Sequence, residues 1–518
     1  RLSRVGCCRS GVEVPGYPGG RIDGYMFVDD IVGLADSMVA LKQLLTRFDH
    51  WFTKNALSVG HRKCGVMVFG PEKARRQLKS QLETSPHTRT IQGATIEIVD
   101  QYVYLGCKFT ETLDLDAMAK ARAVTASAAL YGMRHFLTTR AIPIDTRAMV
   151  YRSVIVASAA YGSELWGMSK HRSRHGEKLQ NEGLRLMLGS KASSTATVPL
   201  ATTRKELRIP PFHAVTAQRR ARVFVKFHHV QTQVAGFLSG KLVEEGGQES
   251  WRASEVPAGC KRKSWVYRSM QWLKRTVGLG ASCLTDHTLM SDTTGRLMAA
   301  KVFDQCCETE WKASTSRSVS AKAYQTLDLI SSTGWQGGWT AHPELAAGWT
   351  QLLRMRTGAF LSAGRLAQMQ VLPDQFRLQC PFCGKHTTDS SLHYLVQCTK
   401  WSEERDRYLE PVLTSLRNAL VADDGDHTGD DDVYKALIGS PAHYQTALEA
   451  DGQSLSWHVT EPAKDKHCSQ RERPMLAISL RVAQFLSETF PNRCRALGVI
   501  LGAFLQEPRP QPGMADQA

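Results

Sequence analysis

The pattern of apolar and polar positions opens with two short apolar runs, 25–28 and 31–35, set on either side of an aspartate pair in "GYMFVDDIVGLADS" (Gly24–Ser37). Short β-favouring runs around a polar dipeptide predict a tight hairpin. Asp36 or Ser37 then caps a helix. Its Met38, Leu41, Leu44, Leu45, Phe48, Trp51 and Phe52 fall at helical spacing, so one face is buried, and it ends near Asn55. "KCGVMVFG" (Lys63–Gly70) reads as a buried strand, and "TIEIVDQYVYLG" (Thr95–Gly106) as a second hairpin with Asp100 in its turn. From about residue 115 to 235 the periodicity is helical, and a last helical segment spans about 474–506. No internal repeat is present.

Length and charge change this picture. A chain of 518 residues accommodates about three to four domains. With 42% hydrophobic and 22% charged residues it has the composition of a folded globular protein. Its net charge of +16 draws polyanions, nucleic acid above all. Between 200 and 275 the basic residues alternate with aromatics, as in "RRARVFVKFHH" and "CKRKSWVYRSMQWLKR". One such run is a solvated helix face; several together favour phosphate contacts with stacking rings. The longest apolar runs fall short of the roughly 20 residues that span a bilayer, so no membrane partner is expected. No signal peptide is seen, and the non-Met start reads as that of a fragment. Thirteen cysteines fit reduced thiols with one local metal site better than a secreted disulfide framework. Cys7–Cys8 and Cys306–Cys307 have no partners at ligand spacing and read as structural.

Two features carry chemistry. Asp29 and Asp30, at the rim of a hairpin, suit a hard cation such as Mg²⁺ (or Mn²⁺), with a solvated turn as the alternative. Nucleotide polymerisation uses carboxylates in this way, to hold two metals roughly 3.5–4 Å apart. "CPFCGKHTTDSSLHYLVQC" supplies Cys380, Cys383, His393 and Cys398, a C-x2-C-x9-H-x4-C set that makes a closed tetrahedral shell for Zn²⁺. His386 is too close to the first pair to serve. The acidic stretch 422–432 lacks the spacing of an EF-hand and reads as a solvated linker. The Pro-rich end is expected to be disordered. With no Gly-rich phosphate loop, an ordinary Mg²⁺-dependent phosphotransferase has no support.

The order of motifs resembles the reverse transcriptases of non-LTR (LINE-type) retrotransposons. "FVDD" (Phe27–Asp30) is similar to their third palm motif, and "LSVGHRKCGVMVFG" (Leu57–Gly70) to the next, with Lys63 at its lysine. "YVYLG" (Tyr102–Gly106) is similar to the primer-grip turn. "YGSELW" (Tyr161–Trp166) and "LQNEGLRLMLG" (Leu179–Gly189) resemble thumb segments. "LLRMRTGAFLSAGRL" (Leu352–Leu366) before the cysteines resembles the Arg-Thr-Gly segment that precedes the zinc knuckle of these elements.

The resemblance implies an α+β fold: a truncated antiparallel polymerase palm sheet, a helical thumb, a mostly helical basic region and a CCHC zinc knuckle. The implied division is partial palm 1–110, thumb and helical connection 111–235, basic helical region 236–345, and Arg-Thr-Gly segment with knuckle 346–410. An acidic loop and helical segment (411–505) and a disordered tail (506–518) follow. The implied function is RNA-directed DNA polymerase, an intracellular nucleotidyltransferase of the nucleus or a cytoplasmic ribonucleoprotein. Its partners would be an RNA template, a DNA primer or target, dNTPs and the upstream part of the same polyprotein.

Asp29 would be a metal ligand and Asp30 a supporting carboxylate. Lys63 would protonate pyrophosphate or pair with an acid. Phe27 and Val28 would pack beneath the primer end, and Tyr104, Leu105 and Gly106 would hold its backbone, or serve as plain hairpin core and turn. Arg356, Lys385, Lys400 and Arg405 are candidate phosphate contacts or solvated surface. The family's first palm aspartate should precede residue 1, and Asp114, Asp116 and Asp145 lie in the wrong order to replace it. The expectation is a chain that does not polymerise alone. The alternative is a catalytically dead RNA- or DNA-binding remnant with a zinc knuckle.

Overall fold

The computed structural model describes residues 11–13, 21–189, 198–227, 241–243, 249–251, 265–278, 292–329, 335–421, 429–443 and 473–506. The expectations for Cys7–Cys8, for 422–428 of the acidic stretch and for 507–518 lie outside the described residues. The described chain is mostly helical, with few and short strands. Those strands form two-stranded ladders, and no wider sheet occurs among the described residues. Two compact units emerge: residues 1–128, 156–179 and 211–308 make the first, and 129–155, 180–210 and 309–518 the second. The segment 111–235, read as thumb and helical connection, contributes residues to both units.

In the first unit Gly24–Phe27 pairs antiparallel with Asp30–Gly33, Phe27 opposite Asp30, which leaves Val28 and Asp29 as a two-residue turn. Val28 takes φ +56 while Asp29 does not turn positive, the sign pattern of a type II′ turn. Glycine is the usual residue at that first position, so a β-branched side chain there is strained. The expected helix follows as Met38–Lys54, its amide of Ala40 donating to the Ser37 hydroxyl. Leu45 buries against Ile91 and Ile96, with Leu41, Phe48 and Phe52 at the margin.

Two expected strands are corrected. Only Gly65–Val66 of the 63–70 segment is a strand, because its parallel partner, Glu97–Ile98, offers two residues. The second hairpin pairs Gln101–Tyr104 with Cys107–Thr110. Its turn is Leu105–Gly106, both at positive φ, as a type I′ turn requires. Asp100 lies ahead of that hairpin and is ion-paired with Lys79. A further core joins the helices Phe212–Phe227, Trp265–Val277 and Asp292–Thr315 through Ala217, Phe224, Leu273 and Val302.

The second unit is organised by the helix Arg473–Gln506, which packs along Ala346–Thr357. The two backbones touch at Gly348, where a Cβ would lie 2.0 Å from the Ala483 carbonyl oxygen. Trp335, Trp339 and Trp349 are fully buried beside this contact. The Arg-Thr-Gly segment ends the shorter helix: Gly358 takes φ +73, and the Ala359 amide closes the turn on the Arg354 carbonyl at 2.7 Å.

Candidate functional site

The Cys/His centre is assembled from two short turns. Around Cys380 the Gly384 amide donates to the Cys380 carbonyl at 3.0 Å, and the Cys380 amide to the Lys385 carbonyl at 3.0 Å. Gly384, at φ +70, lets the chain reverse there. His393–Gln397 forms a wide helical turn that the Cys398 amide closes on the His393 carbonyl at 2.7 Å. The donor atoms of Cys380, Cys383, His393 and Cys398 all lie within 4.8 Å of one another. Cys380 and Cys398 sulfurs are 4.0 Å apart, and the Cys383 sulfur is 3.4 Å from His393 Nε2. A tetrahedral zinc with bonds of about 2.3 Å to sulfur sets its sulfurs about 3.8 Å apart, so the residues fit the ion. Contact with Cys398, then His393 and the amides of Cys383 and Phe382, holds the Cys380 thiol well below its usual range against the opposing effect of burial. The set can hold a metal such as zinc, and four protein donors leave no open position for catalysis.

Behind the ligands lies a buried ion pair absent from the sequence reading. Arg493, in the long helix, reaches Asp389 in the loop between Cys383 and His393, Nη1 to Oδ1 at 3.0 Å and Nη2 to Oδ2 at 2.5 Å. Asp389 also accepts the Ala363 amide at 2.6 Å. The guanidinium stands 4.3 Å from the Phe382 ring centroid and 4.7 Å from that of Tyr394. The acid inside the C-x2-C…H loop was the one available signal; nothing in the sequence pointed to Arg493.

Two expected phosphate contacts are corrected. Arg405 is buried and donates to the carbonyls of Leu395 (3.0 Å) and Cys398 (2.6 Å), so it braces the metal turn. Arg356 is buried and donates to Glu206 at 2.9 Å and to the carbonyls of Ile438 and Leu329. Neither presents its charge to solvent. Lys385 and Lys400 are exposed.

In the first unit Asp29 and Asp30 are exposed at the hairpin tip. Phe27 and Val28 beside them are 59% and 75% exposed, so the apolar side of this tip is uncovered in the described chain. Lys63 is exposed at the end of the turn His61–Lys63, and the Tyr102 hydroxyl donates to its carbonyl. Burial, then the charges of Cys64 and Asp30, push the Tyr102 hydroxyl above its ordinary pKa. Tyr102 thus ties the Lys63 turn to the second hairpin. Among the described residues no third carboxylate, His or Cys joins Asp29 and Asp30.

The turn Tyr104–Leu105–Gly106 is held from behind. The Tyr161 hydroxyl donates to the Leu105 carbonyl at 2.9 Å, and Arg122 Nη1 to the Gly106 carbonyl at 3.3 Å. Arg122 also lies over the Tyr161 ring at 4.8 Å. Two segments singled out separately, "YVYLG" and "YGSELW", are therefore in contact; Arg122 carried no sequence signal.

No protein-family model, curated protein or solved structure matches this chain. Among the described residues no helix is long and apolar enough to cross a membrane.

Proposed function

We propose that this chain is the carboxy-terminal part of the RNA-directed DNA polymerase of a non-LTR retrotransposon, with the hairpin around Asp29 and Asp30 as the metal-holding lip of its palm. The observation that supports this reading most is the hydrogen bond from the Tyr102 hydroxyl to the Lys63 carbonyl, which joins the Lys63 turn to the second hairpin. Two of the motifs read as consecutive palm elements are thereby in contact. Asp29 and Asp30 are hard oxygen donors of the kind Mg²⁺ or Mn²⁺ takes. In the intact parent such ions supply activation of the primer hydroxyl and charge neutralisation at the leaving pyrophosphate. The chain's own parts would position: Lys63 would serve the departing pyrophosphate, and the braced Leu105–Gly106 turn would rest a primer backbone. The Cys/His centre is a zinc knuckle that grips RNA or DNA with the exposed Lys385 and Lys400. The working place is the nucleus or a cytoplasmic ribonucleoprotein, where template and target meet.

The absence of a third ligand beside Asp29 and Asp30 among the described residues favours a second reading for the chain taken alone, a nucleic-acid-binding remnant without catalysis. Two measurements separate the readings. Fe²⁺ bound in place of Mg²⁺ should generate hydroxyl radicals that cut the backbone near residues 27–31 and 61–64. Excess Mg²⁺, or the exposed and foldable pair Asp29→Asn with Asp30→Asn, should abolish the cuts. No cutting there sinks the metal-lip reading and leaves the binding remnant. Primer extension on an RNA template should give no product with these 518 residues; extension would overturn the expected inactivity.

A further inference from the structure

The first unit contains an open cleft of about 670 Å³ between the segment that begins at Gly167 and the helix Trp265–Val277. Its wall includes Ser169, Arg172, Arg220, Arg268, Trp272 and Arg275, and none of its lining residues is acidic. This concentration of guanidinium groups lies far in sequence from the aspartate hairpin and from the cysteines, and neither of those sites uses it.

Arg220 forms the floor. It is 4% exposed, and its donors go to uncharged acceptors: the Ser269 hydroxyl at 2.9 Å and the carbonyls of Gly167 (3.0 Å), Trp265 (3.1 Å) and Leu165 (3.2 Å). Its hydrogen bonds are satisfied, and it has no ion-pair partner among the described residues. Burial, then Arg172 and Arg268, push its pKa down to about 10. Arg172 is likewise lowered, by burial and then by Arg268, with Asp116 and Asp114 opposing. Asp116 is itself engaged by Arg174 at 2.9 Å and His175 at 3.2 Å. Neither Arg172 nor Arg275 has an ion-pair partner among the described residues. A buried cation without a counter-ion is costly, and clustered cations around it add repulsion. A bound anion removes both penalties.

We propose that this cleft binds the phosphodiester backbone of single-stranded nucleic acid, with Arg172 and Arg275 on phosphates and the Trp272 ring against an unstacked base. Guanidinium forks match phosphate oxygens. The open form of the cleft suits a strand that passes through rather than an enclosed small molecule. Trp272 selects for a free base face, which a duplex hides within its stack. The inference stands apart from the metal lip and survives its failure.

The test uses the full chain and labelled uridylate and thymidylate strands, read by fluorescence anisotropy across a salt series. Arg172→Gln and Arg275→Gln should each weaken binding and reduce the slope of log affinity against log salt by about 0.7 to 1. Arg172→Lys should keep the slope. Trp272→Leu should cost roughly tenfold in affinity with the slope unchanged. Ultraviolet cross-linking of a 5-bromouridine strand to the unsubstituted chain should map to the helix Trp265–Val277, which needs no variant to fold. The proposal is overturned if neither Gln variant changes the slope, if cross-links fall only elsewhere, or if polyglutamate competes as well as the strand.

Discussion

Glu206 shows what a single residue can require of its surroundings. Its side chain has no exposure, yet a carboxylate is tolerated because charged and neutral donors converge on it: Arg356 at 2.9 Å, the Tyr324 hydroxyl at 2.5 Å and Trp335 Nε1 at 2.7 Å. Burial and the Glu206 charge together push the Tyr324 hydroxyl far above its usual range, which keeps it a donor. Removing one partner of such a pair strands the other in a low-dielectric interior, a loss of about 3–5 kcal/mol. Arg356→Met is therefore expected to lower stability by that order in urea unfolding, and adding Glu206→Gln should recover part of it. Affinity for RNA or DNA, measured on the fraction that remains folded, should not change. A variant of normal stability and reduced affinity would return Arg356 to the phosphate-contact role its sequence suggests. That role looked plausible because Arg is mostly exposed, and its partner is 150 residues away in the chain.

The Cys/His segment is an element that two short turns build from local chemistry, and so its candidate ligands were legible: cysteine and histidine spacing states a tetrahedral set without reference to the rest of the fold. Its anchoring was not, because Arg493 reaches Asp389 across 104 positions. The chain should carry one zinc per molecule by atomic emission, and Cys380→Ser should lose it with a fall in melting temperature. Because thiols must deprotonate to bind, affinity should weaken as the solution is acidified. A chain that melts identically with and without a chelator would show that the four side chains hold no structural ion. The strands taught the opposite lesson from the Cys/His segment. Ser37 capping and the buried stripe of Met38–Lys54 were readable because both are local. The 63–70 run, apolar enough for a long strand, is limited to Gly65–Val66 by the length of its partner. The second hairpin turns at Leu105–Gly106, where Leu at φ +47 departs from the Asn-Gly or Asp-Gly pair that marks such turns.

At the scale of the whole molecule, the chain returns to each compact unit more than once, 156–179 and 211–308 rejoining residues 1–128. Contiguous domain boundaries drawn along a sequence cannot express that, since helical periodicity tells which face is buried but not against which distant segment. Each unit nevertheless has its own interior: Phe224, Leu273 and Val302 in one, Trp335, Trp349 and Phe485 in the other. Separate cores are the usual reason for departure from two-state unfolding. Calorimetry of the full chain should then resolve two transitions with different ligand responses. The Cys/His cluster and the Asp389–Arg493 pair belong to the second unit, so a chelator should lower the transition of that unit and leave the other in place. The arginine cleft belongs to the first, so a uridylate strand at about 100 times its Kd should raise that transition by the equivalent of about 2.7 kcal/mol. One transition that moves as a whole with either addition would instead mean that the two cores unfold as a single cooperative body.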